Sequence, residues 1–599
     1  MILLETHHDY TVLPTSSEPR EDVSEGADPI LKSLLRDNKG VTLYTPHGGS
    51  LVVHEDGHTY NFSYGPSGIS GLVHNRYAVA CAAFAGIGGV SFGYDQGVIS
   101  NVLVMKDFLA RWPIGPWEKG LMTAVLELGA LFGAITSGIL ADKYCRRQSI
   151  FFASIIFCIG SGLQCGAQSL NDLIIGRAIG GFGVGALSML SPLYMAEISP
   201  PELRGSLMAL EQLAIVLGVV FGFWTGFLTR HIAGSASWRI PLALQFLPGI
   251  SLCLGCFVLP PSPRLLVLHG HIDDARSTLA KLRLRTPDEA KEDPLIQLEL
   301  LEMQINVALV RQKSTDGLSR ETWSTLFGRE YVRRTLIGIM IMFFQQWSGI
   351  NALLYYGPTL VESIGMRGDT VTLLVSGGIG IIQFLAVFPA IIFLDRWGRK
   401  PLLKGGSAIM AVSHFMIAIL IHLFHDDWES NTIAAWVAVF CTYIFTAAYG
   451  MSFGPIGWVL PSEVFPLSMR SKGVSLSTAS NWINNYPFFP RRRSPCVVLI
   501  GLITPPLMEM SSAGDISFAD FAFFGSATFM IFACACFGAY LWSSYVVPET
   551  AGVSLEEIDA VFGSAAGQKD RKRKCELERE LGLHDLIKGL IPSEALGQE

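Results

Sequence analysis

Gln345, Gln346 and Asn351 stand in the run Gln345-Gln346-Trp347-Ser348-Gly349-Ile350-Asn351, three carboxamides inside a hydrophobic stretch long enough to cross a membrane. An amide in hydrocarbon needs a partner. Each amide both donates and accepts hydrogen bonds, which suits an uncharged polyhydroxyl ligand such as a sugar, whose hydroxyls do the same. In a straight helix at about 100° per residue, Gln346 and Asn351 point about 140° apart and Gln345 and Asn351 about 120° apart, so one face cannot present all three. Ser348-Gly349 supplies a place to unwind, and discontinuous helices at mid-membrane are how many carriers build a ligand site. The competing role is an amide bridge between neighbouring helices.

Asp95 lies within or at the end of the first apolar run, where an unpaired carboxylate is costly, so it requires a cation or a proton. Other chemistries find no support. Gly180, Gly181, Gly183 and Gly185 fall in an apolar helix with no strand before them, which fits close helix packing rather than a dinucleotide loop. There is no Walker A sequence, no His/Cys spacing for zinc or another metal, and no nucleophile and base pair. The chain is therefore expected to be no enzyme, to hold no cofactor or metal, and to bind no nucleic acid.

The elements that must position these residues follow from composition. Half of the 599 residues are hydrophobic and 16% are charged, against about 25% charged in soluble proteins. The mean hydropathy is +0.40. Twelve apolar runs of roughly 20 residues can be marked out, each able to cross about 30 Å of hydrocarbon as a helix. Most of the eleven cysteines, Cys81, Cys158 and Cys441 among them, lie within these runs and act as small hydrophobes. Residues 1–76 read as a largely disordered N-terminal tail with no cleavable leader.

Lysine and arginine follow span 2 (Lys143, Arg146, Arg147), span 4 (Arg204) and span 8 (Arg396, Arg399, Lys400, Lys404). The loop between spans 9 and 10 carries His425, Asp426, Asp427 and Glu429 instead. The outer-side Lys106, Arg111 and Lys119 run against the trend, but the sum places both termini in the cytoplasm. Residues 260–334 form a charged linker, with helical patterning around Ala275–Arg283 and Leu295–Leu309, between six-span halves at 77–259 and 335–546. Residues 547–599 form a cytoplasmic C-terminal tail with a basic cluster from Lys569 to Lys574, and Asn61-Phe62-Ser63 is a glycosylation sequon on the cytoplasmic side, where it would go unused.

The halves repeat. Asp142, Arg146 and Arg147 recur as Asp395, Arg399 and Lys400, and Glu197 with Arg204 recurs at the same spacing as Glu463 with Arg470. Duplicated charges indicate two parallel repeats meeting at a central site.

With Phe92-Gly93-Tyr94-Asp95, Gly176-Arg177, Pro192-Leu-Tyr194-Met-Ala-Glu197, Trp238-Arg239-Ile-Pro241, the QQxSGxN run and Pro548-Glu549-Thr550, the chain resembles the sugar porters of the major facilitator superfamily from about Tyr77 to Phe562, in wording most similar to fungal members. The resemblance implies an all-α membrane protein of twelve transmembrane helices in two pseudo-symmetric halves, working by alternating access as a monomer in the plasma membrane. It implies that Gln212, Gln345, Gln346, Asn351 and Asn485 bind sugar hydroxyls and that Trp458 stacks on the apolar face of the ring. Gln383 stands where many members have asparagine, which should reshape the pocket.

In family proton symporters the aspartate at Asp95 carries the coupling proton opposite the arginine at Arg177. Asp142, Arg146, Arg147, Glu197, Arg204, Asp395, Arg399, Glu463 and Arg470 match the family's cytoplasmic gating network, with Cys145 and Pro261 departing from its pattern. The resemblance implies a monosaccharide, hexose or pentose, carried with a proton. A facilitative uniporter, a polyol, quinate or disaccharide carrier, and a transporter-like sensor stay open.

Residues 486–499, with Pro490, Arg491, Arg492, Arg493 and Pro495, interrupt the eleventh run. From Ser475 to Asn485 a helix climbs only about 16 Å, so three arginines would arrive near mid-membrane at about 2.5 to 3.5 kcal/mol each. The segment reads as an incorrectly joined exon or retained intron, the alternative being a looped excursion into the aqueous cavity that waters the arginines.

Overall fold

A computed structural model describes residues 41–45, 49–53, 60–66, 68–315, 323–329, 331–363, 369–424, 428, 430–466, 469–485, 518–551, 576–583 and 586–587. Residues 486–499 and the basic cluster 569–574 lie outside the described residues.

Twelve membrane segments follow one another. They are span 1 (Arg76–Ala85 with Ile87–Val102), span 2 (Pro116–Lys143), span 3 (Arg146–Gly166), span 4 (Leu170–Ile198), span 5 (Arg204–Thr229) and span 6 (Ala236–Leu244 with Phe246–Gly255). After the linker come span 7 (Val332–Trp347 with Ile350–Ser363), span 8 (Asp369–Trp397), span 9 (Arg399–Phe424), span 10 (Thr432–Met451 with Phe453–Val464), span 11 (Arg470–Asn485) and span 12 (Phe518–Tyr545). Among the described residues, nine of these are long and apolar enough to cross a membrane unaided. Spans 6 and 7 are each divided into two shorter helices, and span 11 is described only as far as Asn485.

In the first half span 1 packs on span 5, and spans 2 and 3 pack on span 4. In the second half span 9 packs on spans 10 and 12, and span 7 on span 11. The halves meet where span 2 packs on span 11 and span 5 on span 8. The glycines of span 4 serve close packing: a Cβ on Gly185 would collide with the Ala130 carbonyl of span 2, and one on Gly183 with the Phe157 backbone of span 3. Phe152, Leu247, Phe257, Val412 and Phe440 are exposed, the surface a bilayer would cover.

Within residues 1–76, read from the sequence as largely disordered, the described residues include a small sheet. Strands β1 (Val41–Thr45), β2 (Gly49–Val53) and β3 (Tyr60–Ser63) form an antiparallel sheet. Leu51, Tyr60, Phe62 and Tyr64 bury themselves against Leu295, Ile296 and Leu298 of the linker helix Pro294–Thr315, with Leu577, Leu583 and Ile587 of the C-terminal tail in the same cluster. Individually each strand is too short to be stable, and the linker helix supplies the apolar partner. The linker helices Ile272–Leu282 and Pro294–Thr315 fall where the patterning places them.

Tyr64 ties this unit to the membrane helices. Its hydroxyl donates to Glu299 at 2.7 Å, and its backbone N–H donates to Glu202 at 3.1 Å. Arg283 pairs with Glu299 at 2.7 Å and donates to the Ile198 carbonyl at the end of span 4 at 3.0 Å. Burial, and then the Glu299 carboxylate, push the Tyr64 hydroxyl well above its ordinary pKa.

Candidate functional site

Span 7 breaks at Ser348-Gly349. Its first helix ends at Trp347, Gly349 takes a φ of 89°, and the second helix starts at Ile350. A positive φ is readily available to glycine alone, so the break is written in Gly349. The Ser348 carbonyl released by the break meets buried His414 of span 9, whose Nε2 lies 2.8 Å away. A carbonyl only accepts, so Nε2 carries the proton.

Span 10 breaks as well, between Met451 and Phe453. Gln345 Nε2 donates to the Phe453 carbonyl at 3.0 Å and lies 3.3 Å from that of Gly454, while Gln345 Oε1 accepts from Asn481 of span 11 at 2.7 Å. The Asn351 amide donates to Gln346 Oε1 at 2.6 Å across the break of span 7. The two interrupted helices thus meet at amide side chains, with backbone polar groups satisfied in the protein interior as lipid requires.

The opposing half supplies Gln212 and Phe92. Gln212 of span 5 faces Gly454, where a Cβ would stand 3.2 Å from the amide carbon. The Phe92 ring of span 1 packs edge-on against Trp458 at 6.3 Å and Trp482 at 5.0 Å, and Trp482 donates to Ser188 of span 4 at 3.2 Å. Trp458 is 5% exposed, far from an interfacial belt position. Gln383 of span 8 is buried beside Gly450 of span 10, and among the described residues its Oε1 has no hydrogen-bond partner. Asn485 ends span 11, but its side chain lies outside the described residues, as does that of Asp142 on span 2.

Asp95 and Arg177 lie together at 3.4 Å, 2% and 1% exposed. Asp95 also accepts from Gln245 of span 6 at 2.9 Å, and Arg177 Nε donates to the Met122 carbonyl at 2.5 Å. Sequence reasoning passed over Gln245, Asn481 and His414. Gln245 follows Trp238-Arg239-Ile-Pro241 by one helical turn, Asn481 precedes Asn485 by another, and a polar residue inside an apolar run was signal enough.

The charged end holds two matching pairs. Arg146 grips Glu197 at 3.1 Å and Arg399 grips Glu463 at 2.7 Å, each through two nitrogens. Arg399 also pairs with Asp395 at 3.3 Å. Asp395 crosses to the other half, where it accepts from the backbone of Gly205 at 3.1 Å and of Ser206 at 2.8 Å and from the Ser206 hydroxyl at 2.6 Å. It therefore sits at the positive N-terminal end of span 5. Arg470 of span 11 lies within electrostatic reach of Glu197 and donates to the Phe465 carbonyl at 3.2 Å. Arg204 is buried at the start of span 5. Arg147 instead donates to the Leu259 carbonyl at 3.1 Å. Thr550 of the Pro548-Glu549-Thr550 motif donates to Glu463 at 2.7 Å, and Glu549 accepts from the backbone of Arg399 and Lys400 at 2.9 and 3.0 Å.

The halves touch at both ends. Ser475 donates to the Ala134 carbonyl at 2.9 Å towards the charged end, and Gln96 of span 1 donates to Tyr355 of span 7 at 3.1 Å towards the other. The arrangement is a central polar and aromatic site closed on both sides.

The sequence pattern of the family described as "Sugar (and other) transporter" matches residues 81–562. The chain belongs to that family. The probable glucose transporter rco-3 of Neurospora crassa is 31% identical over 541 residues, 87% of this chain and 86% of that protein. The low-affinity glucose transporter HXT3 of Saccharomyces cerevisiae is 31% identical over 532 residues, 84% of this chain and 87% of that protein. Among solved structures, the major facilitator proton:xylose symporter XylE bound to 6-bromo-6-deoxy-D-glucose superposes with a TM-score of 0.67 at 27% identity, covering 81% of this chain and 99% of that one. The inward-open structure of XylE from E. coli gives a TM-score of 0.56 at 25% identity, covering 81% and 99%.

Proposed function

We propose that this chain carries a monosaccharide, a hexose or pentose, across the plasma membrane together with a proton, by alternating access. The observation that carries the reading is the meeting of two interrupted helices, spans 7 and 10, at Gln345, Gln346 and Asn351, with Gln212 and Phe92 opposite. The Asn351–Gln346 bond is one that two sugar hydroxyls can replace, so closing the second helix of span 7 over a ligand exchanges hydrogen bonds rather than losing them. Trp458 offers a flat face for the C–H groups of a pyranose. Gln383 and Asn485 complete the proposed binding set.

Proton coupling is supported by the buried Asp95–Arg177 pair and by the likeness to a protein named a proton:xylose symporter. Relatives named glucose transporters support the sugar. One proton moved through 100 mV is worth about 2.3 kcal/mol, roughly a fiftyfold sugar gradient. Asp142, Arg146, Arg147, Glu197, Arg204, Asp395, Arg399, Glu463 and Arg470 form the proposed gating network, which parts when the site opens at the charged end. The charge bias puts that end, and both termini, in the cytoplasm. One chain is the functional unit, because both halves of the site come from it.

The test is uptake of labelled glucose, xylose and polyols, recorded with external pH, in cells lacking hexose uptake and expressing the chain with and without residues 486–499. Sugar-dependent alkalinisation that disappears in Asp95→Asn is expected. Uptake indifferent to an uncoupler, with Asp95→Asn fully active, overturns the coupling and leaves a facilitator.

A further inference from the structure

Glu127 of span 2 is a second acid in the same region, and the function described so far does not use it. It is 1% exposed, and among the described residues neither carboxyl oxygen has a partner in full hydrogen-bonding geometry, the Tyr355 hydroxyl being the polar neighbour beside it. It lies nine residues beyond Glu118, near the start of span 2, or about 14 Å up the helix and close to the middle of the hydrocarbon.

The groups that face it are few. Span 7 brings the Tyr355 hydroxyl and span 4 brings Arg177. Span 1 brings Asp95, beyond that guanidinium, and neutral Gln96, which bonds Tyr355. The described residues of spans 3 and 11, which also pack along span 2, bring no group that acts on it. Arg177 is already committed, with Nη1 and Nη2 on Asp95 at 3.5 and 3.4 Å and Nε on the Met122 carbonyl.

The cluster therefore contains one cation and two carboxyl groups. With both acids ionised it carries a net buried negative charge, the arrangement that desolvation penalises most. One bound proton makes it neutral. Asp95 has the guanidinium and the Gln245 amide to stabilise its anion, whereas Glu127 has no such donor in bonding geometry. The neutral acid belongs on Glu127.

Tyr355 decides when that proton is held. It stands four residues after Asn351 on the second helix of span 7, so the two residues move as one piece. In this closed arrangement Tyr355 stands beside Glu127 and the carboxyl is shut off from water, so movement of that helix away from span 2 would return it to water.

We propose that Glu127 is a proton-carrying residue of the transport cycle, protonated when Tyr355 closes over it and deprotonated when the site reopens. The step makes one O–H bond on a carboxylate oxygen and breaks one O–H bond of a hydronium ion, leaving water; release runs the same exchange in reverse to a water molecule on the other side. Nothing is oxidised or reduced. The inference rests on the proton-coupled reading above.

The experiment measures sugar-driven external alkalinisation and the pH dependence of sugar half-saturation for the full chain and for Glu127→Gln. In the parent, half-saturation is expected to fall at least fivefold from pH 8 to pH 5 (about 1 kcal/mol), because acid favours the closed, protonated site. Glutamine stands in for the neutral acid, so Glu127→Gln is expected to lose alkalinisation per sugar and to flatten that pH dependence. Should glutamine fail to reach the membrane, Glu127→Met, which needs no hydrogen bond, carries the same test. A parent without sugar-driven alkalinisation ends the proton-coupled reading itself. A parent that alkalinises, with variants that move as many protons per sugar along the same pH profile, overturns the role of Glu127 alone.

Discussion

Asp395→Ala should loosen the charged end of the carrier by an amount the geometry allows to be worked out. Asp395 accepts three hydrogen bonds from the first turn of span 5, at 3.1, 2.8 and 2.6 Å, and among the described residues its own half holds it through Arg399 at 3.3 Å. Arg399 keeps Glu463 at 2.7 Å in the variant, so no cation is stranded. Loss of a helix N-cap is worth about 0.5–2 kcal/mol, and loss of hydrogen bonds to a charge about 1.5–3 kcal/mol. Opening lets water satisfy the freed donors, which places the net shift near 2 kcal/mol. At 1.4 kcal/mol per decade, the fraction open at this end rises about 30-fold.

Ser475→Cys provides the assay, because Ser475 is 0% exposed and packs against Ala134 of the opposite half. In that background, alkylation of the introduced thiol from the charged side, followed by mass spectrometry of the peptide that carries it, scales with the open fraction when opening is fast. Asp395→Ala should accelerate it by about that factor. Ser206→Ala, which removes one of the three bonds, should accelerate it about fivefold, for roughly 1 kcal/mol. A rate within twofold of the parent in Asp395→Ala would refute the latch.

Gln345→Ala removes the donor to the span 10 break and the acceptor for Asn481, so sugar uptake should fall at least tenfold (about 1.4 kcal/mol) while the protein still reaches the membrane. His414→Ala strands the Ser348 carbonyl and leaves a gap beside Phe445, 4.1 Å away between ring centroids, so a loss of about 2–4 kcal/mol should appear as a lower unfolding temperature of the purified protein. Tyr64→Phe loses its bonds to Glu299 and the Leu295 carbonyl, about 1–3 kcal/mol, and should speed proteolytic release of the N-terminal tail. Because the folded state raises the Tyr64 pKa, its docking is fully present below the ordinary tyrosine value and is lost as pH climbs past about 10; protease release should stay flat from pH 6 to 9 and then rise.

The amino-acid sequence by itself determined the twelve crossings, the two linker helices, the break at Ser348-Gly349 and the duplication of charged positions between the halves, because hydropathy, helical period and glycine freedom are local properties. It also carried the alternating residues of β1 to β3, but strands of four or five residues gain stability only against the linker helix far along the chain. Tertiary structure alone decided which polar group meets which. Asp395 belongs to a repeated motif, yet its main partners lie in the other half, and Gln245, Glu127 and Tyr355 come from three different spans to surround the Asp95–Arg177 pair. Burial says that each of these groups needs a partner, and only the packing of the two halves says which one it gets.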